Sequence, residues 1–268
     1  MEHAPSIAIS LQNLVVGFGP HLVIDKLDLD VRRGEILGLV GASGGGKSVL
    51  LRTVLGLLPK RSGTIKILGR DVDKLDTEAM HAVERHWGVL FQQGALFSAL
   101  SVRQNVEFPM REYLALPAAL RSEIAVTKLR MVGLAPDDMD KFPAELSGGM
   151  IKRVALARSL ALEPDIVFLD EPTSGLDPIA AGEFDLLIKT LQRTLGVTVV
   201  MATHDLDSLA AVCDRIAALA EGRIVALGAM SAMLASQDPW VKAYFAGPRA
   251  RRAIAEPAPE RQGNPDGN

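Results

Sequence analysis

The chain has 268 residues, a length that suits one compact unit with a subdomain and permits an enzyme. Its hydrophobic share of 48% and charged share of 23% are those of an ordinary globular protein. The formal net charge of -3 provides no overall positive field, which argues against nucleic acid as a partner. The single cysteine, Cys213, lies in an apolar stretch, so we expect a buried thiol in a reducing compartment.

The sequence gives no sign of a segment that enters a membrane. No uninterrupted apolar run approaches the roughly 18 to 20 residues that a membrane-spanning helix requires. The first ten residues lack the basic and apolar regions of a secretory signal. We therefore expect that this chain does not itself span a bilayer.

Short strands and helices are predicted to alternate along the chain. Residues 7–16 and 22–31 have the pattern of antiparallel strands, and residues 35–40 have that of a buried strand. Alternation of this kind predicts an α/β fold with a parallel sheet wrapped by helices, and residues 98–160 form an inserted helical subdomain. The other predicted segments are β-rich 63–75, strands 86–91, 166–169 and 197–201, and helices 48–58, 120–131, 154–161 and 180–195.

The strongest motif joins the strand over 35–40 to the helix that follows. Residues 41–48 read G-A-S-G-G-G-K-S and fit the phosphate-loop pattern G-x-x-x-x-G-K-[ST]. Glycines let backbone N–H groups converge on phosphate oxygens, Lys47 can bridge the outer phosphates, and the Ser48 hydroxyl can bind Mg²⁺. The predicted nucleotide-binding residues here are Gly41, Ala42, Ser43, Gly44, Gly45, Gly46, Lys47 and Ser48.

Two carboxylates follow the strand over 166–169. Asp170 at the strand end can reach a phosphate-bound Mg²⁺, and Glu171 is placed to polarise a water for in-line attack. A strand that ends in acidic residues is common, so the pair gains its meaning from the phosphate loop.

A second glycine pair, in Leu146-Ser147-Gly148-Gly149-Met150, opens another predicted helix and supplies a second anion-binding N-terminus. One chain with one nucleotide seldom needs two such sites.

The series of motifs resembles the ATP-binding cassette (ABC) family over almost the entire chain. The series runs from the phosphate loop through Gln92, the LSGG motif and Asp170-Glu-Pro to Asp177 and Thr203-His204-Asp205. The resemblance implies a P-loop NTPase fold of the ABC-ATPase type, with an antiparallel β subdomain and the helical insertion. It also implies one ATPase domain over residues 8–247, followed by a tail over 248–268 that is disordered or docks on a partner.

The resemblance also implies roles for single residues. Gln92 looks like the glutamine that contacts Mg²⁺ and the attacking water, and His204 like the histidine that contacts the terminal phosphate. Phe18 sits where the family stacks an aromatic on adenine, although a core phenylalanine is the alternative. Asp177 resembles the residue that communicates across a dimer. Ser147, Gly148 and Gly149 are expected to contact ATP bound by the other subunit, so the working unit is a homodimer that closes around two nucleotides.

Met150 stands where the family signature usually has glutamine, and its effect on that motif is open. Methionine here is familiar in the ATPases of Mla and MCE type lipid transporters, which residues 88–97, 108–112, 184–188 and 238–247 also resemble. That branch implies ATP-driven movement of phospholipid or a related lipid between bacterial membranes, from the cytoplasmic face of the inner membrane. Its implied partners are a permease dimer, an MCE-domain protein and, as a further candidate, a STAS-domain regulator. The alternatives are a transporter of another substrate, an ABC ATPase of DNA repair or translation, and a non-catalytic binding module.

Overall fold

The computed structural model describes residues 6–245. The tail over 248–268 lies outside the described residues. The strands are β1 (Ile7–Phe18), β2 (His21–Arg32), β3 (Ile36–Gly41), β4 (Ser62–Ile67), β5 (Arg70–Asp71), β6 (Trp87–Leu90), β7 (Ile166–Asp170), β8 (Thr198–Ala202), β9 (Arg215–Ala220) and β10 (Arg223–Gly228). The helices are α1 (Lys47–Val54), α2 (Thr77–Glu84), α3 (Val102–Tyr113), α4 (Ala118–Met131), α5 (Gly148–Ser159), α6 (Pro178–Leu195), α7 (Leu206–Val212), α8 (Met230–Ala235) and α9 (Pro239–Phe245).

The first strands form a four-stranded antiparallel sheet in the order β2-β1-β4-β5. Apolar and polar residues alternate along the second half of β2, so one face of the strand covers a core. Leu27, Leu29 and Val31 are buried while the residues between them are exposed. The β-rich segment predicted over 63–75 contains only the strands β4 and β5, followed by one 3-10 turn over Val72–Lys74. The predicted antiparallel subdomain is therefore present as a sheet of its own.

A second sheet has six strands in the order β10-β9-β3-β8-β7-β6. All of its pairings are parallel except that between β9 and β10, which places an antiparallel strand at one edge. Every residue of β3 and β8 is buried, as expected for strands covered on both faces. The predicted α/β class is confirmed.

Helices α3, α4 and α5 pack together around aliphatic side chains that include Val106, Leu129 and Val154. Helix α3 begins with a capping box, in which Ser101 accepts from the Gln104 backbone and Gln104 accepts from the Ser101 backbone. These helices lie within the segment predicted to be helical. Over residues 6–245, no helix combines the length and apolarity needed to cross a bilayer.

Helix α1 is shorter than the sequence pattern predicts, since it ends at Val54 rather than near residue 58. Gly56 has a left-handed φ of 73°, and the N–H of Leu57 donates to the carbonyl of Arg52 at 2.8 Å. This is the hydrogen bonding of a glycine-terminated helix, so the apolar residues that follow belong to the turn.

Candidate active site

The predicted site residues follow four neighbouring parallel strands, so they lie together at the carboxyl ends of these strands in the six-stranded sheet. Strand β3 ends at Gly41, β7 ends at Asp170, and β8 ends at Ala202 just before His204. Ala202 pairs with Leu39 on one side and with Asp170 on the other, and Gln92 follows the adjacent strand β6. The carboxyl ends of parallel strands are where open α/β sheets bind ligands.

The loop over residues 41–48 depends on glycine at several positions. Gly44 and Gly46 have left-handed φ values of 75° and 101°. A Cβ on Gly41 would lie 2.7 Å from the Leu219 carbonyl oxygen, so the strand end approaches β9 too closely for a side chain. The tight turn is closed by a hydrogen bond from the Gly45 N–H to the Ala42 carbonyl at 2.9 Å.

Lys47 folds back over this loop. Its ammonium donates to the carbonyl oxygens of Gly41 at 2.8 Å and Ala42 at 3.3 Å. Because Lys47 is also the first residue of α1, the cation and the free N–H groups of the helix start lie at the same place. The combination suits a polyphosphate.

Ser48 and Asp170 lie close together beside the loop. Burial and the neighbouring Glu171 raise the pKa of Asp170, while Arg52, Lys47 and Ser48 act in the opposite direction. One hydroxyl and one carboxylate next to a phosphate site are the donors that Mg²⁺ uses when nucleotide phosphates complete its shell. These residues therefore fit a magnesium ion.

Glu171 has a left-handed φ of 49°, which turns its side chain toward the end of β8. Its Oε2 lies 2.8 Å from His204 Nδ1 and 3.5 Å from Thr203 Oγ1. The Glu171 side chain is only 14% exposed whereas that of His204 is 69% exposed. The carboxylate is thus fixed by neighbours, and the imidazole remains accessible to a phosphate. The Tyr244 hydroxyl of α9 donates to the His204 carbonyl at 3.2 Å.

The side chain of Gln92 is exposed, and its backbone carbonyl accepts a hydrogen bond from the Lys152 ammonium. Lys152 also donates to the Glu171 carbonyl at 3.0 Å. The sequence interpretation gave Lys152 no role. A signal was present, because Lys152 shares a helix face with Ala155 and Ser159 and so points into the subdomain interior.

The second glycine pair, Gly148-Gly149, differs from this cluster because few atoms of the described residues lie near it. Ser147 caps α5 by accepting from the Met150 N–H at 3.2 Å. A Cβ on Gly148 would meet no atom of residues 6–245 within 4 Å, and one on Gly149 would meet only Leu176, at 3.9 Å. Asp177 is exposed and caps α6, where it accepts from the N–H groups of Ile179 and Ala180, both at 3.0 Å.

Phe18 ends β1 and pairs with His21 across the first hairpin. Its ring is 53% exposed, which excludes the alternative of a core phenylalanine. The following strand, β2, contacts the phosphate loop, since a Cβ on Gly46 would lie 3.1 Å from the side chains of Val23 and Ile24. The β1–β2 hairpin therefore carries an exposed aromatic ring, and its second strand, β2, borders the phosphate loop.

The fold and these side chains define a P-loop NTPase. The chain belongs to the ABC transporter family, whose model matches residues 24–174. It is 38% identical to the intermembrane phospholipid transport system ATP-binding protein MlaF of Haemophilus influenzae, over 89% of this chain and 90% of that protein.

Two further similarities cover most of the chain. The probable ribonucleotide transport ATP-binding protein mkl of Mycobacterium leprae is 36% identical over 91% of this chain and 70% of its own length. The dimeric structure of the ATP-binding cassette MJ0796 in a post-hydrolysis state, bound to ADP and Pi, superposes with a TM-score of 0.75. That match has 30% identity and covers 83% of this chain and 98% of the other. The predicted family and fold are confirmed.

Proposed function

We propose that this chain is the ATP-hydrolysing subunit of a bacterial ABC transporter that moves phospholipid or a related lipid between membranes. The observation that carries the hydrolytic part is the Glu171 carboxylate, held 2.8 Å from His204 at the sheet edge that bears the phosphate loop. The lipid part rests on the 38% identity to a phospholipid transport ATPase. It also rests on Met150, which matches the lipid-transporter branch.

The site residues have separable tasks in this mechanism. The loop N–H groups, the start of α1 and Lys47 bind the ATP phosphates. Ser48, Asp170 and Gln92 would hold Mg²⁺, which would supply positive charge to offset the negative charge that develops on the phosphate during the reaction. Glu171 accepts the proton of the attacking water, and His204 orients Glu171 and faces the terminal phosphate. Phe18 stacks on adenine.

The working unit is a homodimer in which each chain completes the site of the other. The first two N–H groups of α5 have no partner within the helix, and the space in front of Gly148 is open. A nucleotide held by a second copy would fill that space and be contacted by Ser147, Gly148 and Gly149. Asp177, at the start of α6, carries the state of one site to the other.

A groove of about 320 Å³ is the proposed docking site for the permease. It lies between the end of α1, strand β6 and helix α3, and it combines apolar side chains with one acid, Glu84, and one base, Arg158. An amphipathic cytoplasmic helix of an integral membrane protein has the matching chemistry. Its lining includes Leu55, Leu57, Trp87, Phe91, Pro109, Tyr113 and Leu162.

The proposal places the chain on the cytoplasmic face of the inner membrane, attached through a permease dimer. An MCE-domain protein and a STAS-domain regulator are the other proposed partners, and nucleic acid is not one. These assignments rest on resemblance to the lipid-transporter branch.

The proposal is tested by purifying the tagged full chain from detergent-solubilised membranes of its own host. We expect a permease and an MCE-domain protein to copurify with bound phospholipid, identified by mass spectrometry. Vesicles containing this complex should move labelled phospholipid when MgATP is added, and a Lys47→Ala complex should not. A copurified permease that carries a polar solute, in the absence of phospholipid transfer, would favour another transport substrate, as the name of the mycobacterial relative suggests.

A further inference from the structure

Helix α5 carries a buried lysine five positions after Ser147. Lys152 is only 4% exposed, although ammonium groups are costly to remove from water unless they donate hydrogen bonds. Burial lowers the pKa of Lys152, and the nearby carboxylates of Glu171 and Asp170 raise it. A buried cation at this place calls for a specific reason.

The ammonium of Lys152 joins two distant parts of the chain. It donates to the backbone carbonyl of Gln92, 60 residues away, and to that of Glu171, 19 residues away, at 3.0 Å. Both bonds end on main-chain oxygens, so the lysine holds the course of the backbone at the two residues assigned to the attacking water.

The segment around Gln92 is attached to α5 by further contacts. The Arg158 guanidinium donates to the carbonyls of Gly94 and Ala95, both at 2.7 Å. A Cβ on Gly94 would lie 2.7 Å from the Ile151 side chain, so the segment packs directly on the helix. The Gln92 segment and α5 therefore form one unit, and among these contacts the bond from Lys152 is the one that crosses to Glu171.

Glu171 needs such support because its backbone is left-handed, with a φ of 49°. A residue with a Cβ keeps this conformation only when its surroundings enforce it. The N–H of Glu171 donates to the Ala202 carbonyl at 2.8 Å, which fixes one side of the residue to β8. On the other side, the Glu171 carbonyl accepts from the Lys152 ammonium at 3.0 Å and from the Ser174 N–H at 3.2 Å, so the direction of the carboxylate depends on the attachments at both sides.

We propose that Lys152 is a positioning residue that sets the Glu171 carboxylate relative to Gln92 and makes its placement depend on the position of α5. This inference rests on the proposed function, because it assumes that Glu171 activates water. Five residues of helix span about 7.5 Å, so Lys152 and the glycine start of α5 move as one rigid piece. Contact of that start with a partner's nucleotide is thereby communicated to the catalytic carboxylate.

The test compares Lys152→Met and Lys152→Arg in the full chain, with Lys128→Met as the matched control. Lys128 is a second buried lysine of the same subdomain, 6% exposed, and its ammonium pairs with Glu163 at 3.2 Å. ATPase kcat and KM, nucleotide affinity and the midpoint of thermal unfolding are measured for each protein.

We expect Lys152→Met to lower kcat about 10- to 100-fold, as a misplaced catalytic group does, while nucleotide affinity changes less than about two-fold. Lys152→Arg, which still donates to carbonyl oxygens, should restore part of kcat. Lys128→Met should keep kcat within about two-fold of the unaltered chain even where its unfolding midpoint falls. A kcat loss in Lys128→Met equal to that in Lys152→Met would overturn the proposal.

Two other results also overturn the proposal: an unchanged kcat in Lys152→Met, and a loss of nucleotide affinity as large as the loss of kcat. Should Lys152→Met fail to fold, Lys152→Gln and Lys152→Arg decide the matter. A reduced kcat at unchanged affinity in Lys152→Gln, with a higher kcat in Lys152→Arg, supports it; an unchanged kcat in Lys152→Gln, or no gain in Lys152→Arg, overturns it. An unaltered chain that does not hydrolyse ATP would instead count against the proposed function.

Discussion

The two helix starts that present glycines, at α1 and at α5, are built in opposite ways. In front of α1 the chain closes on itself: Gly46 lies against β2, Lys47 bonds back to the loop, and Ser48 meets Asp170. In front of α5 the cap of Ser147 is the main local bond, and Gly148 faces open space.

The difference shows how one chain divides its binding work. The start of α1 is enclosed by neighbouring residues, has the Lys47 cation, and lies beside Ser48 and Asp170, which fit Mg²⁺. It can therefore bind a nucleotide within one chain. The start of α5 offers N–H donors but no surrounding side chains, so a ligand can use these donors only when another molecule holds the ligand in place. In an ATPase that works as a dimer, the second start suits the nucleotide of the partner.

The largest effect on turnover is expected at Glu171, which belongs to the site around the start of α1. Glutamine keeps the size of the side chain and a hydrogen bond to His204 but cannot accept a proton from water. Glu171→Gln should therefore reduce turnover by about 100- to 10,000-fold and leave nucleotide binding in place. Phosphate release and nucleotide affinity, measured in the assembled complex, check both parts.

A matched control is Glu221→Gln, since Glu221 also has a left-handed backbone, with a φ of 51°, but lies exposed in the turn between β9 and β10. It should leave turnover unchanged. Near-normal turnover in the Glu171 variant would remove that residue from the catalytic role.

On the open side, Ser147→Arg fills the space before Gly148 with a long cation. Turnover should fall by about 100-fold, comparable to the loss of an electrostatic contact to a reacting group, while nucleotide still binds to isolated monomers. Ser147→Ala is the comparison: it removes the hydroxyl that caps α5 and is proposed to contact the partner's nucleotide, at a cost of about 1 kcal/mol, but it leaves the space open, so its turnover should fall less than that of Ser147→Arg. If Ser147→Arg abolished nucleotide binding by monomers, the glycine pair would belong to the pocket of its own chain.

Local features of both helix starts were easier to predict from the sequence than contacts between distant segments. The sequence places the phosphate loop, Asp170 and Glu171 directly after buried strands, because each strand and the residues that follow it are contiguous in the chain and their spacing specifies the local geometry. The α/β class followed from the alternation of strands and helices for the same reason. The end of α1 was misplaced because an apolar run continues past Gly56, whose left-handed turn stops the helix.

Contacts between distant segments could not be predicted in this way. The bond from Lys152 to Gln92 and the bond from Tyr244 to His204 each depend on how whole elements pack, which no local pattern records. The order of the strands within each sheet has the same origin, since it is set by tertiary contacts. The roles given to the phosphate loop, Asp170 and Glu171 stay predictions until they are measured, as do those given to Gln92, His204 and the glycine pair of α5.

The smallest expected effects come from placing alanine at the two helix starts. Gly46→Ala puts a Cβ at a φ of 101° and 3.1 Å from Val23 and Ile24, so the free energy of unfolding should drop by about 1–3 kcal/mol. Gly148→Ala meets open space in a helix, so it should raise stability by about 0.4–1 kcal/mol, because alanine has less freedom in the unfolded chain. Denaturant titration of the full chain measures both changes.

Turnover of the same two variants then separates packing from function. Gly46→Ala should lose nucleotide affinity together with stability, because the loop that binds phosphate is the part under strain. Gly148→Ala should lose turnover in the dimer although it is the more stable protein, since its methyl group lies where the partner's phosphates are expected. A Gly148→Ala dimer that is both more stable and fully active would mean that no nucleotide approaches α5, and the contrast between the two helix starts would then concern folding alone.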